Sequence, residues 1–465
     1  MKKTLANFRK STRAILPAIV INITIGISLS FAQPAWNHPG GNHSKADLEY
    51  VKGKIAGGEQ PWTNRFNDLK TIATTYNKTT SPQDGAENDQ KADGRLAYAN
   101  ALAWYYTGNE TYAKNAIAVL NVWAKTFNGY TLPAVGQGNQ ALLNAGWIGA
   151  LLGPAAEIMR GYVGWLAADR TKVQTMFKTK FYPAINQMST WNGNVDLTQI
   201  DAIMNIAVFC EDETEFNLGL QRLKSRNPAY FYLSTDPASS INYGGSTSNS
   251  WSSPTKWVDG LTQESCRDNN HHAQYAMASA LHAAEVAWNQ GIDVYTENEK
   301  RYTATLELMA TQILTGQMGT CTNNITTTDL YATWEVGYNH YHNRKGIALP
   351  NTLSLLTTKV RVRSDSDWNI FYETLTHNLS GKPLSTALEE TNSDINSALC
   401  FPNPFNESMT INIAGEYTLY DLSGAVVEKG FCENNCQIGS KLIQGVYLLE
   451  IVHNGRTKRA KVSKK

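Results

Sequence analysis

His271-His-Ala-Gln-Tyr-Ala-Met-Ala-Ser-Ala-Leu-His-Ala-Ala-Glu-Val-Ala-Trp-Asn-Gln-Gly291 decides how this chain folds. Ala276, Ala280, Ala283, Ala284 and Ala287 recur at the spacing of one helical face. Their small side chains let neighbouring helices approach closely, and Gly291 stands where a helix C-cap belongs. Working outward, Ile200, Ile203, Met204, Ala207 and Val208 make a second stripe, and Ala97, Ala101, Trp104 and Tyr105 a third. Asn144 to Ile158, Thr214 to Leu223 and Tyr302 to Leu314 add further helices. From about Asp93 to about Gly316 the pattern stays helical, with short loops and no strand-rich interval. That span is too long for a four-helix bundle and predicts a mainly α chain built as an α/α toroid.

The 465-residue chain exceeds what one core usually organises. Lys2, Lys3, Arg9, Lys10 and Arg13 precede an apolar run from Ile15 to Phe31, and Ser30 and Ala32 suit a signal peptidase. Residues 1–32 therefore read as a signal peptide with Gln33 as the mature start. Pro17, Asn22 and Thr24 interrupt a run barely long enough to span a membrane, and no other stretch reads as a span. No membrane insertion is expected after cleavage. The net charge of +1 gives no sign of nucleic-acid binding. Twelve Trp and 22 Tyr are many, and aromatic faces exposed in a cleft stack on sugar rings.

After about His377, Ser, Thr, Asn and Glu dominate, so residues 381–399 read as a linker between a helical domain at 33–380 and a unit at 400–465. There the period changes to two, as in Met409-Thr-Ile-Asn-Ile413 and Val446-Tyr-Leu-Leu-Glu-Ile451, with turn signals at Ser423-Gly424 and Asn454-Gly455. A small β-sandwich follows. Of the six cysteines, Cys432 and Cys436 are the best placed for a short bridge, and their spacing lacks the second ligand pair of a zinc site. Phe401-Pro-Asn-Pro404, Tyr420-Asp-Leu-Ser-Gly424, Gly445-Val-Tyr-Leu448 and the Lys-rich end resemble the C-terminal sorting domain of type IX secretion. The resemblance implies a partner in the type IX secretion machinery and a secreted or cell-surface protein. The rival for this unit is an accessory sugar-binding β-domain.

Three segments carry polar residues where a helical core would not want them: Trp191-Asn-Gly-Asn194, Gly260 to His272, and Trp334 to Arg344. Each lies near a helix end, where a toroid opens its cleft. Trp36 to Trp62, with His38-Pro-Gly40, His43 and Ala46-Asp-Leu48, resembles the N-terminal signature of bacterial alginate-lyase-like proteins. Gln263-Glu-Ser-Cys-Arg-Asp268 through His271, Ala287-Trp-Asn-Gln-Gly-Ile-Asp-Val-Tyr295, and Tyr338-Asn-His-Tyr341 through Arg344 resemble glucuronan and alginate lyases of polysaccharide lyase family 38. The resemblance covers roughly residues 36–355. One departure is Cys266, where the family usually has Gly before the Arg-Asp pair.

The resemblance implies β-elimination on an anionic uronic-acid polysaccharide. The C5 proton of a uronate is too weakly acidic beside a charged carboxylate, so the enzyme must neutralise that carboxylate, stabilise the enolate, and supply a base for C5 and an acid for O4. No cofactor or metal is needed. Asn194 is the first candidate neutraliser; its plain alternative is a turn residue. His271, at a helix N-terminus, suits a carboxylate, with His272 its rival. Arg267 would grip a carboxylate while Glu264 orients it or a histidine, or the two simply pair at i, i+3. Trp334, Tyr338 and Tyr341 share a helical face, equally the look of a core stripe, but Asn339, His340 and Arg344 beside them favour a cleft lining. Tyr338 is the first choice for base and acid and Tyr341 the second, with Arg344 or a protonated His lowering its pKa. Two rivals remain: a glycoside hydrolase pairing Glu264 with Glu335 or Asp201, and a non-catalytic glycan-binding protein.

Overall fold

Helices buried on every face must be enclosed by others, and the helices Gln140–Met159, Gly193–Cys210 and His271–Asn289 are of this kind along most of their length. The computed structural model describes residues 36–245, 248–322, 330–363, 372–382, 400–421, 424–433, 435–453 and 456–465. The expected leader at 1–32 lies outside them, as do all but Gly381 and Lys382 of the expected linker, and the turn residues Ser423 and Asn454-Gly455.

The helices are α1 (Lys45–Ala56), α2 (Trp62–Ile72), α3 (Glu87–Thr107), α4 (Glu110–Thr126), α5 (Gln140–Met159), α6 (Ala167–Met176), α7 (Tyr182–Ile185), α8 (Gly193–Cys210) and α9 (Glu213–Tyr230). They continue with α10 (Ser265–Asp268), α11 (His271–Asn289), α12 (Glu299–Thr315), α13 (Glu335–Tyr338), α14 (Pro350–Leu355) and α15 (Glu373–Thr376). Helix α13 runs on as a π-helical turn, Asn339–Arg344. Packing follows chain order: α3 lies on α5, α5 on α8 and α8 on α11. Amphipathic α4 backs α3 and α9 backs α8. An inner row of buried helices with an outer amphipathic row is the α/α toroid expected from the alanine stripe.

The contact between α5 and α8 depends on small residues. A Cβ at Gly149 would lie 2.8 Å from Ala202 Cβ, and one at Gly146 3.0 Å from Thr198 Cγ2, so only glycine admits this approach. Helix α8 is buried along its whole length, and α11 is buried from Ala273 to Ala287. Gly291, at φ +79°, closes α11 as expected. One expectation needs correcting: Gln140–Met159 is long and apolar enough to cross a membrane. It is α5, the core helix of this fold, and 94% of its most apolar window is buried.

The C-terminal strands form two antiparallel sheets. The first has β1 (Cys400–Phe401), β2 (Met409–Ile411) and β5 (Cys436–Ile438) in the order β1-β2-β5. The second has β3 (Gly415–Tyr420), β4 (Val426–Cys432), β6 (Gly445–His453) and β7 (Arg456–Lys464) in the order β4-β3-β6-β7. Met409, Ile411 and Ile438 of one sheet share a core with Leu419, Leu449 and Ile451 of the other, which makes a sandwich. Cys432 and Cys436 are bridged; so are Cys266 and Cys321, while Cys210 and Cys400 are buried and in no disulfide.

Candidate active site

Asn194 stands at the start of α8 and is buried. Its backbone N–H and side-chain amide both donate to the Glu264 carboxylate, at 3.3 and 2.8 Å. The preceding Gly193 N–H donates to Gln263 Oε1 at 2.8 Å. A Cβ at Gly193 would meet Tyr230 Cδ2 at 2.5 Å, so the Trp-Asn-Gly-Asn tip requires its glycine for packing. Glu264 is fully buried and also accepts from Tyr230 Oη at 2.7 Å and from the Arg267 guanidinium. Burial pushes the Tyr230 phenol upward, and the Glu264 charge adds to it, so Tyr230 is a fixed donor and not a base. The expected Glu264–Arg267 pair forms, with the Arg267 side chain still 37% exposed. Glu264 thus holds an amide and a guanidinium side by side.

The chain then turns through Asn269 and Asn270, both left-handed at φ 55° and 69°, into the N-terminus of α11. Asn270 is buried and donates to Gln312 Oε1 at 2.8 Å, and the Cys266–Cys321 bridge ties the same turn to the loop after α12. Asp268 Oδ2 meets His272 Nδ1 at 2.5 Å. Burial raises the Asp268 carboxyl, but the His272 contact outweighs it and holds the group below its ordinary value. His272 is thereby engaged. His271 faces Tyr331, whose hydroxyl lies 2.9 Å from Nδ1, and the Tyr331 ring packs on Tyr275 at 4.2 Å. Asn194, Glu264, Arg267, Asp268, His271, His272 and Tyr331 form one connected network at the N-terminal ends of α8 and α11. The helix dipoles there favour an anion, and the N–H groups of Gly193, Asn194 and His272 already donate to side-chain oxygens of Gln263, Glu264 and Asp268.

The third polar segment does not join it. Arg344 is held by the two oxygens of Glu285, at 2.9 and 2.6 Å, and lies 3.8 Å from Asp47. Its charge is bound there and not beside Tyr338. His340 is fully buried, stacked 3.6 Å from Tyr295, and burial drives its pKa down to about 2. Tyr341 is fully buried and donates to the Tyr295 carbonyl at 3.0 Å, and burial raises its phenol. Asn339 is buried and accepts from Asn343 Nδ2 at 3.1 Å, and Trp334 is enclosed. Tyr338 stacks on His342 at 4.7 Å; burial raises its phenol against the pull of Arg361, the opposite of the depression expected for a base. Glu285 follows His271 by fourteen residues, about 21 Å along α11. In this segment Arg344 and Tyr341 meet partners in the core, while Trp334 Nε1, Asn339 Nδ2 and His340 Nε2 are buried with no hydrogen-bond partner among the described residues.

The carboxylates proposed for a hydrolase are also committed elsewhere. Glu335 is gripped by Arg361 at 2.8 and 2.9 Å. Asp201 contacts His282 Nδ1 at 3.3 Å, and Glu373 accepts from the other ring nitrogen at 2.8 Å. Burial opposes the His282 charge, but the two carboxylates outweigh it and raise its pKa to about 10. Both carboxylates proposed as partners of Glu264 are thus held by a cation of their own.

Sequence reasoning did not single out Tyr331, Tyr275 or Tyr230, and quoted Asp268 only as part of a motif. Tyr275 stands one helical turn after His271 and was in reach of the periodicity; Tyr331 lies outside any helix and carries no such signal.

Residues 50–229 match the family model described as alginate lyase, and residues 399–465 match the secretion system C-terminal sorting domain. The first match makes this stretch of the helical part similar to alginate lyases, and the sorting domain makes the chain a secreted or cell-surface protein. Asn194 falls within the alginate lyase match, and the turn from Glu264 to His272 lies beyond it. Among solved structures, alginate lyase A1-III from Sphingomonas species A1 is 16% identical, with TM-score 0.49, over 68% of this chain and 91% of that one. A variant of A1-III complexed with a tetrasaccharide is 15% identical, with TM-score 0.48, over 66% and 88%. An alginate lyase from Bacteroides ovatus is 14% identical, with TM-score 0.41, over 59% and 84%. Likenesses this remote describe neither substrate nor mechanism. A comparison with curated proteins finds no match.

Proposed function

We propose that this protein is a lyase that cleaves a uronic-acid polymer, alginate or glucuronan, by β-elimination at the N-terminal ends of α8 and α11. The observation that carries the reading is the Tyr331 hydroxyl 2.9 Å from His271, beside the Asn194–Glu264–Arg267 cluster. Arg267 pairs with the uronate carboxylate, and the Asn194 amide and His271 complete its neutralisation. With that charge compensated, Tyr331, having passed its own proton to His271, takes the C5 proton as the phenolate, and the imidazolium left on His271 is the form that helps to neutralise the carboxylate. The C–H electrons become the C4–C5 double bond, the C4–O4 bond breaks, and O4 leaves with a proton. Where the C5 proton and O4 lie on one face of the ring, Tyr331 supplies that proton as well. The test is an absorbance screen of the mature protein against polymannuronate, polyguluronate, glucuronan and glycosaminoglycans. Unsaturated ends absorb in the ultraviolet. Reducing ends without ultraviolet absorbance would mean a hydrolase, and binding without turnover a glycan-binding protein.

A further inference from the structure

Beyond the reacting centre, one exposed aromatic group stands on a built support. Trp257 is 40% exposed, yet its ring packs on Trp251 at 5.0 Å and on Tyr232 at 5.1 Å. Trp251 is 1% exposed, and its indole N–H has no acceptor among the described residues. An exposed indole braced from beneath offers an apolar face in a fixed plane, which an untethered surface Trp does not.

The support shares its frame with the reacting centre. The N–H groups of Thr255 and Lys256 donate to the Thr320 carbonyl at 2.8 and 3.3 Å. Thr320 precedes Cys321, which is bridged to Cys266 beside Arg267. The turn that carries Trp251 packs on α10, which carries Arg267. The cations nearby differ in their commitments. Lys300 pairs with Asp259 at 2.9 Å and Arg301 with Asp236 at 2.8 Å. Lys256 is exposed and has no ion-pair partner among the described residues.

We propose that Trp257 and Lys256 form an outer subsite for a further uronate of the polymer, the indole stacking on the pyranose ring and the ammonium meeting its carboxylate. The inference rests on the uronan-lyase reading above. It makes the site longer than one scissile unit, so that long chains are held better than short ones.

The test compares KM and kcat for the shortest cleavable uronate oligomer and for the polymer, with Trp257→Ala, Trp257→Phe and Lys256→Ala. Trp257→Ala raises KM for the polymer about tenfold, leaves kcat unchanged and leaves the shortest oligomer unaffected. Trp257→Phe keeps most of the affinity. Lys256→Ala raises the polymer KM at low salt, and the difference vanishes at high salt. A KM change equal for both lengths, a change in kcat alone, or no change overturns the subsite. Titrating oligouronates against the same variants, read by tryptophan fluorescence with neutral glucan oligomers as controls, separates the two readings. If the wild type yields no unsaturated products, the lyase reading falls, while weaker oligouronate binding by Trp257→Ala still supports the subsite and unchanged binding overturns it.

Discussion

Replacing Tyr331 with Phe removes one oxygen and leaves the ring on Tyr275, 4.2 Å away. The lost hydrogen bond to His271 is a half-buried one, so the stability cost is about 0.5–1.5 kcal/mol and the melting temperature falls by no more than about 2–4 °C. The kinetic cost is of another order. Loss of a general acid–base group lowers kcat by about 10²–10⁴-fold, which is roughly 3–5 kcal/mol of barrier. Substrate affinity changes little, because Arg267, Asn194 and the aromatic face remain. The assay is the initial rate of ultraviolet absorbance on the uronan the wild type cleaves best, with a melting curve on the same sample. Tyr338→Phe is the control: its neighbour Gly337 packs on Leu281, ten residues and about 15 Å along α11 from His271, so its rate stays at the wild-type level. Turnover by Tyr331→Phe within about threefold of wild type would refute the assignment. A larger loss in Tyr275→Phe would move the role one helical turn along α11.

Four other outcomes follow from the same geometry. Arg267→Ala raises KM and lowers kcat together, and Asn194→Ala lowers kcat by about 10²–10³-fold on an intact fold; normal rates in folded variants of both would remove the cluster from the site. The double variant Cys266→Ser/Cys321→Ser opens a 55-residue loop, costs about 2–4 kcal/mol by denaturant titration and lowers turnover, and dithiothreitol does the same to the wild type; full activity after proven reduction would contradict it. His282→Gln strands two buried carboxylates and costs about 3–5 kcal/mol near pH 6. Because folding raises the His282 pKa to about 10, that contribution is complete below about pH 6.5 and is lost as pH climbs through 10, so the gap in melting temperature narrows with pH, and a widening gap would overturn the assignment. A chain ending at Lys382 keeps its lyase rate and loses export; a folded but inactive fragment would show that the sandwich takes part in the chemistry.

The helices were legible because their signal is local. The alanines of α11 and the stripe of α8 repeat within a few residues, and the glycine cap of α11 lies at its end. Asn194 and His271 were expected near helix starts for a related reason, and they stand at the starts of α8 and α11. Trp334 to Arg344 was read as a cleft lining because polar residues inside a helix look the same whether they line a cleft or meet partners in the core. The Glu285 that takes Arg344 stands 59 residues earlier in the chain, and nothing near Arg344 announces it. Tyr331 was invisible because it belongs to no periodic element. The trio Asp201, His282 and Glu373 was hidden because each lies 81 or 91 residues from its partner.

That trio joins α11 to the last stretch of the helical unit. Glu373 accepts from His282 and also from Thr333 Oγ1 at 2.8 Å, while His377, four residues on, meets the Asn42 carbonyl at 2.9 Å. Trp62 donates to the Asn378 carbonyl and Lys382 reaches Asp47. The last stretch of the helical unit therefore closes on its first. Until residues 372–382 have emerged, the imidazolium of α11 lacks one of its two counter-charges and the earliest helices lack their neighbour. The toroid is thus a ring whose keystone is made last. A nascent chain holding only the region matched as alginate lyase lacks both α11 and the segment that closes on the first helices.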